Sequence, residues 1–158
     1  MCKKTVLMGL FSAFLLSFVL VALFARPVRA AETWTVDDDG PADFPTIQAA
    51  INAAGDGDTV QVKAGTYYEN VVVNKSLTLL GENSRTTIID GSGTWHVVHI
   101  TVSNVEIRGF TVRNGMMGNG SYFGIWVYNS GSTISGTTIR DNIISNNYFG
   151  ISLVCSDN

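Results

Sequence analysis

Short β-branched runs separated by Gly and Asn return along this chain at a nearly constant interval. Ile107-Arg108-Gly109-Phe110-Thr111-Val112-Arg113-Asn114 is echoed by Ile134-Ser135-Gly136-Thr137-Thr138-Ile139-Arg140-Asp141, a shift of 27 residues (134 − 107). Phe123-Gly124-Ile125 is echoed by Phe149-Gly150-Ile151, a shift of 26 (149 − 123). A period of that length, built from strand-forming residues and turn formers, belongs to chains that wind into stacked coils. One coil has nothing to bury its apolar face against, so each coil requires a neighbour. The expected class is therefore all-β, a solenoid.

The rest of the chain agrees. From Thr59 onward, strand-like runs follow one another: Val60 and Val62 in alternation, then 71–73, 77–80, 87–89, 97–102, 105–107, 110–112, 125–128, 133–134, 138–139, 143–144 and 151–154. Gly65-Thr66-Tyr67-Tyr68, Gly81-Glu82-Asn83-Ser84-Arg85 and Asp90-Gly91-Ser92-Gly93 read as turns between them. With no helical periodicity between the strands, a βαβ fold is excluded, and the long echo selects the solenoid over a sandwich or barrel. Ahead of the coils, 33–36 reads as a short strand and Asp37-Asp38-Asp39-Gly40-Pro41 as a turn. Ile47, Ala50, Ile51 and Ala54 share one face at i, i+3, i+4, i+7 spacing, which predicts a helix over 46–54 closed by Gly55. A helix this short needs a docking surface, and the open first coil, with its bare backbone edge, supplies one. The expected organisation is a signal segment at 1–30, a strand and capping helix at 31–58, and coils at 59–158. Roughly four coils are expected, and Cys155-Ser156-Asp157-Asn158 falls where another turn should begin, the pattern of the front part of a longer protein or an incomplete frame.

Lys3 and Lys4 precede a largely apolar, uncharged run at 6–24, and Val28-Arg29-Ala30 places small residues where a signal peptidase cuts. Cleavage after Ala30 fits this segment, as does an uncleaved anchor, since the run is about long enough to span a bilayer. Either way the remainder is exported, so the expected location is secreted, cell surface or periplasm, with membrane contact only through an uncleaved signal. Past Ala30 the chain carries 6 basic and 13 acidic residues, 6 − 13 = −7. That balance excludes a nucleic-acid partner, which needs clustered Lys and Arg. Cys2 leaves with the signal, and Cys155 alone makes no disulfide framework. Asn74-Lys75-Ser76 and Asn119-Gly120-Ser121 have the spacing of glycosylation acceptors.

Asp38-Asp39-Gly40-Pro41, Phe44, Thr46-Ile47-Gln48-Ala49-Ala50-Ile51, Gly57-Asp58-Thr59-Val60, Gly65-Thr66-Tyr67, Glu69-Asn70-Val71 and Leu77-Thr78-Leu79-Leu80-Gly81-Glu82 together resemble the opening of right-handed parallel β-helix proteins of the pectin-lyase-like superfamily. Pectinesterases and surface proteins with NosD-like repeats belong to that superfamily. Thr138-Ile139-Arg140-Asp141-Asn142-Ile143-Ile144-Ser145-Asn146-Asn147 and Gly150-Ile151-Ser152-Leu153 resemble the repeat of the NosD-like group and of carbohydrate-binding, sugar-hydrolase domains. The resemblance covers nearly all of 33–158 and implies a right-handed parallel β-helix solenoid with a short N-terminal capping helix. It implies no single reaction, because lyases, esterases, hydrolases and adhesins share this fold.

Several constellations are candidates for chemistry. A pectinesterase site needs paired carboxylates with an Arg and a Gln, and the Gln-Asp and Asp-Phe-Ile-Phe-Gly motifs of that family do not occur here. Asp90 and Asp141 each adjoin a turn residue and read as turn formers, so no catalytic residue is assigned. Asp37, Asp38 and Asp39, with Asp43, could offer oxygen ligands to Ca²⁺, or simply favour a helix N-terminus. No other cofactor is expected. His96 and His99, at odd separation on a strand, should point to opposite faces and not share an ion. Met116-Met117 offers soft ligands for Cu(I), or plain loop packing. Tyr122, Phe123, Trp126, Tyr128, Tyr148 and Phe149 form the most suggestive group. If Ile125 faces the core, Trp126 and Tyr128 are exposed, and the echo at 148–149 adds rings one coil above. Trp126, Tyr128 and Tyr148 are thus the candidate sugar-stacking residues, against an alternative in which the rings merely stiffen the coils. Asn142, Asn146 and Asn147 read as turn-stabilising.

The expected function is a secreted or surface β-helix with a structural and carbohydrate-binding role and no complete active site in this chain, its partner a polysaccharide or cell-surface glycan. The alternatives are the N-terminal part of a polysaccharide-acting esterase or lyase, and a NosD-like copper-maturation protein of the periplasm.

Overall fold

In a computed structural model the structure describes residues 29–115 and 122–154. The chain divides into Met1–Ala30 and Ala31–Asn158. The expected signal segment, apart from its last two residues, lies outside the described residues, as do Met116-Met117, the Asn119 acceptor triplet and Cys155. Among the described residues no helix is long and apolar enough to cross a membrane.

The unit Ala31–Asn158 opens with β1 (Thr33–Val36) and α1 (Ile47–Ala53). Four coils of three strands follow. The first has β2 (Thr59–Val62), β3 (Gly65–Tyr67) and β4 (Val71–Val73); the second β5 (Thr78–Gly81), β6 (Thr87–Asp90) and β7 (Val98–Ile100). The third has β8 (Glu106–Arg108), β9 (Thr111–Arg113) and β10 (Phe123–Val127); the fourth β11 (Thr138–Arg140), β12 (Ile143–Ser145) and β13 (Phe149–Leu153). They build three sheets, β1-β2-β5-β8-β11, β3-β6-β9-β12 and β4-β7-β10-β13, in which every pairing is parallel. Each strand therefore hydrogen-bonds its counterpart one coil away, and the chain is a parallel β-helix as expected.

Strand alternation sends one set of side chains inward, where like stacks on like. Leu79 lies between Val60 and Ile107, Ile89 pairs with Val112, and Ile100 lies between Val73 and Val127. Of these, Val60, Val73, Leu79, Ile89, Ile100, Ile107 and Val112 are fully buried, each worth about 1.5–3 kcal/mol of apolar burial. In the fourth coil Ile151 and Leu153 continue the inward ladder of the third sheet but are 46% and 64% exposed.

α1 closes the first coil. Thr46 caps it by accepting the Ala49 N–H at 3.3 Å, and Ile47, Ala50 and Ile51 are buried. The Glu69 carboxylate accepts the N–H groups of Ile47 and Gln48 at 2.9 and 3.0 Å, satisfying two donors a helix start leaves unpaired. The Gln48 side-chain amide mimics a strand: its Oε1 accepts the Val72 N–H at 2.8 Å and its Nε2 donates to the Val72 carbonyl at 3.2 Å. The edge of β4 is thereby paired, which is how a solenoid end avoids strand-edge association.

The repeat spacing needs one correction. On the third sheet the ladder Val71, Val98, Ile125, Ile151 advances by 27, 27 and 26 residues (98 − 71, 125 − 98, 151 − 125), and Phe149 does stack on Phe123. On the first sheet the steps from Thr59 to Thr78, Glu106 and Thr138 are 19, 28 and 32. Ile107 pairs with Ile139, not with Ile134. The letter-for-letter echo matched Gly109 to Gly136, but the left-handed corner at Gly109 (φ 82°) is taken one coil later by Asp141 (φ 55°), a residue that tolerates that conformation. The Gly109 N–H donates to the Asp141 carbonyl at 3.2 Å, which sets the register. The run 133–134, expected as a strand, is not one: Ile134 lies in the connection before β11, packed against the core.

Candidate functional site: an aromatic strip on the third sheet

Because Val98, Ile100, Ile125 and Val127 point inward, the residues between them point out. Val72, His99, Trp126 and Ser152 lie in register across the outer surface of β4-β7-β10-β13. The chain leading into and opening each strand adds further rings at Trp95-His96, Tyr122-Phe123 and Tyr148-Phe149. The result is a continuous run of aromatic contacts. His99 stacks on Trp126 at 4.4 Å and 19°, and Trp126 on Tyr128 at 4.8 Å and 18°. His96 lies parallel to Phe123 at 5.4 Å and 9° and also meets Trp126 at 4.4 Å. Phe123 stacks on Phe149 at 5.4 Å, and Tyr148 stands edge-on to Phe149 at 4.7 Å. Trp95 closes the other side, 5.0 Å from His96 and 5.7 Å from His99.

Two expectations change here. His96 and His99 do not point to opposite faces: their rings are 6.1 Å apart on the same outer surface. The alternation rule fails because Val97 and Val98 are both buried. The chain turns into β7 at that point, so two successive side chains point inward and His96 falls outside with His99. Trp126 and Tyr128 are half-buried rather than exposed, because each ring lies against its neighbours. The repeat at 148–149 adds its rings one coil on: Phe149 pairs with Phe123 and Tyr148 joins the strip through Phe149, while Ser152 lies beside Trp126. Within the strip the most exposed rings are Trp95, Tyr148 and Phe149, at 38%, 50% and 45%. Trp95, His96 and His99 are the members that sequence reasoning left out of the group. The third-sheet period would have found them, since 27 residues before Phe123 lies His96 (123 − 27).

Hydrogen bonds set the tautomers of both histidines. The Phe123 N–H donates to Nδ1 of His96 at 3.0 Å, so Nδ1 carries no proton and Nε2 does. His99 Nε2 lies 3.1 Å from the Tyr128 carbonyl, which can only accept, so that nitrogen holds the proton. Burial pushes the His96 ring down to about 4, with His99 nearby adding to the effect. Burial also lowers His99, partly opposed by the Tyr128 carbonyl. Both rings are neutral at pH 7; His96, 5% exposed, is covered by Trp95, Tyr122, Phe123 and Trp126 and supports the strip from beneath.

The remaining candidates fall elsewhere. Asp90 is 4% exposed. Its carboxylate accepts from the Ser92 N–H at 3.0 Å, Arg113 Nε at 2.8 Å and Asn114 Nδ2 at 2.8 Å. Burial alone would raise this carboxyl, but those donors together hold it below the usual range. Asp141 is exposed and paired with Arg140 at 2.7 Å. Both aspartates thus occupy corners, Asp90 with both oxygens engaged and Asp141 with one oxygen on Arg140. Asn142 bridges coils, its Oδ1 accepting the Phe110 N–H at 3.0 Å and its Nδ2 donating to the Ile107 carbonyl at 2.9 Å. Asn147 does the same with Gly115 and Val112, and Asn146 takes a left-handed corner at φ 52°. The ligand atoms of Asp37, Asp38 and Asp39 lie within 4.8 Å of one another at the coil-one end, an arrangement a hard cation accepts. Asp43 is apart from them in function, its carboxylate bound to the Thr35 N–H and hydroxyl at 2.8 and 2.7 Å. Asn74 of the first acceptor triplet is exposed in the turn after β4.

No protein-family profile matches the chain. It is 32% identical over 155 residues to a cell surface glycoprotein of Methanothermus fervidus, covering 95% of this chain and 23% of that protein. Over 65 residues it is 45% identical to Pectinesterase 2 of Arabidopsis thaliana, covering 37% of this chain and 11% of the relative. Among solved structures, the pectin methylesterase from carrot matches with a TM-score of 0.57 at 24% identity, over 76% of this chain and 42% of that one. The chain thus spans less than a quarter of the length of these curated relatives. The structural likeness gives the fold: a right-handed parallel β-helix of the pectin-lyase-like type.

Proposed function

We propose that this pectin-lyase-like β-helix is a module of an exported, surface-displayed protein and binds polysaccharide through the outer face of its third sheet, without performing chemistry on it. The observation that carries the reading is the ring-to-ring continuity from Trp95 to Tyr148, with its outer members open to solvent. Exposed contiguous apolar surface on a soluble fold marks a binding site, and rings with a polar handle suit a ligand that is apolar on one face and hydroxylated at its rim. The likeness of nearly the whole chain to a cell surface glycoprotein supports display outside the cell. The engagement of both coil aspartates in corners supports a non-catalytic role. Calcium at Asp37, Asp38 and Asp39 would be structural, tightening the turn after β1.

Affinity electrophoresis in gels containing pectin, xylan or mannan tests this. Retardation of the wild type in at least one gel, relieved in Trp126→Ala, is the expected result. Unchanged mobility of both proteins in every gel overturns it.

A second reading, the N-terminal part of a polysaccharide-acting enzyme, is favoured by the local 45% identity to a pectinesterase. Release of methanol from methyl-esterified pectin by a longer form of the protein would decide for it; none would decide against.

A further inference from the structure

We infer that the aromatic strip selects neutral polysaccharides and discriminates against chains of uronic acids. The inference rests on the glycan-binding reading above and names its ligand class.

Charge is partitioned by sheet in this molecule. Residues 91–105, 114–139 and 142–154 contain no Asp, Glu, Lys or Arg. Those segments carry β7, β10 and β13 together with the corners that lead into them. The charged side chains of coils two to four fall on the other two sheets and their turns, as with Glu106, Arg108 and Arg140 on the first sheet and Asp90 and Arg113 on the second. In coil one, Glu69 and Lys75 flank β4, and both are turned toward α1. Glu69 accepts from the helix N–H groups, and Lys75 Nζ donates to the Ala54 carbonyl at 2.8 Å.

A carboxylate arriving at the strip therefore meets no cation. It meets ring faces, whose quadrupole is negative, and would lose water without a charged partner to replace it. The two histidines supply no positive charge at neutral pH. His96 Nδ1 already accepts from Phe123, and His99 Nε2–H already donates to Tyr128. A neutral sugar has no such cost and can lay its C–H face on Trp95, Phe149 or Tyr148.

The test is affinity electrophoresis of the full chain at pH 7 and physiological salt, in gels containing linear mannan, β-glucan, unsubstituted xylan or polygalacturonate. Salt at that level screens the net charge of the whole molecule, so the comparison reads the strip. Expected is retardation by at least one neutral polymer, with apparent affinity for polygalacturonate at least roughly tenfold weaker, and roughly tenfold loss of neutral binding in Trp95→Ala. Tyr148→Ala, also at an exposed ring, should weaken the same binding. Circular dichroism of each variant checks that the coils persist. Retardation by polygalacturonate equal to or above that by the neutral polymers overturns the ligand class and leaves the glycan-binding reading standing. No retardation in any gel overturns both. Neutral binding untouched in both variants overturns the strip as its location.

Discussion

The Phe123 backbone N–H donates to Nδ1 of His96 across a coil boundary at 3.0 Å. One coil thus holds the next through an imidazole lone pair, which a proton would consume. In the unfolded chain a histidine titrates near 6.5, whereas in the folded protein burial lowers His96 to about 4 and lowers His99 as well. Between those values the unfolded state binds protons that the folded state does not. Stability is therefore fully present above pH 6.5 and is lost as pH falls toward 4. Urea unfolding should show a lower midpoint at pH 5 than at pH 7, and His96→Gln should flatten that difference. A midpoint unchanged or higher at pH 5 contradicts the histidine geometry.

Glu69 is the residue that starts α1 from another element. Glu69→Ala leaves the N–H groups of Ile47 and Gln48 without their acceptors, at a cost of about 1–2 kcal/mol. Amide exchange at those two positions should accelerate together with the fall in stability. Exchange unchanged at both would mean the carboxylate does not cap the helix.

Gly81 and Gly109 face one another on successive coils, and a Cβ on Gly81 would run into the Gly109 carbonyl oxygen. Gly81→Ala should destabilise by about 1–3 kcal/mol, the usual cost of forcing atoms into a packed site. Gly57, by contrast, has open space around it and only its φ of 88° to disfavour a side chain. Gly57→Ala should cost about 1 kcal/mol. Equal losses in the two variants would show that coil spacing at Gly81 is more forgiving than drawn.

Arg113→Ala removes one of three donors from the buried Asp90 carboxylate, at a cost of about 1–3 kcal/mol. Since the donors hold the Asp90 carboxyl below its unfolded value, their stabilisation is present above pH 3.8 and lost as pH falls through the folded value. The penalty of Arg113→Ala should therefore shrink at pH 3 relative to pH 7. A pH-independent penalty would point to lost packing of the arginine stem instead.

Much of this architecture was legible in the residues. The alternation of Val60 with Val62 and the face shared by Ile47, Ala50 and Ile51 gave coils and cap, since burial of one side chain in two or of one helical stripe needs no distant information. Ile125 facing inward followed from the same alternation. The register of the first sheet did not follow, because Gly109 and Asp141 are different letters performing the same left-handed turn. The histidine pair was misplaced for a related reason: the inward pair Val97-Val98 breaks the period at a corner, where backbone direction and not side-chain type decides which face a residue takes. The aromatic strip lay half in view, because Trp126 and Tyr128 lie two residues apart at the end of β10 while Trp95 and His96 join them only through stacking.

The binding strip itself is tested most directly by acrylamide quenching of tryptophan emission with and without a saturating neutral polysaccharide. Trp34 lies apart, its indole donating to Asp58 at 3.1 Å, and supplies a constant background. The account predicts that polysaccharide shields Trp95 and the half-buried Trp126 beside it, so the quenching constant falls in the wild type and falls by less in Trp95→Ala. Quenching unaffected by any polysaccharide, or shielded equally in both proteins, would contradict a glycan site on the third sheet.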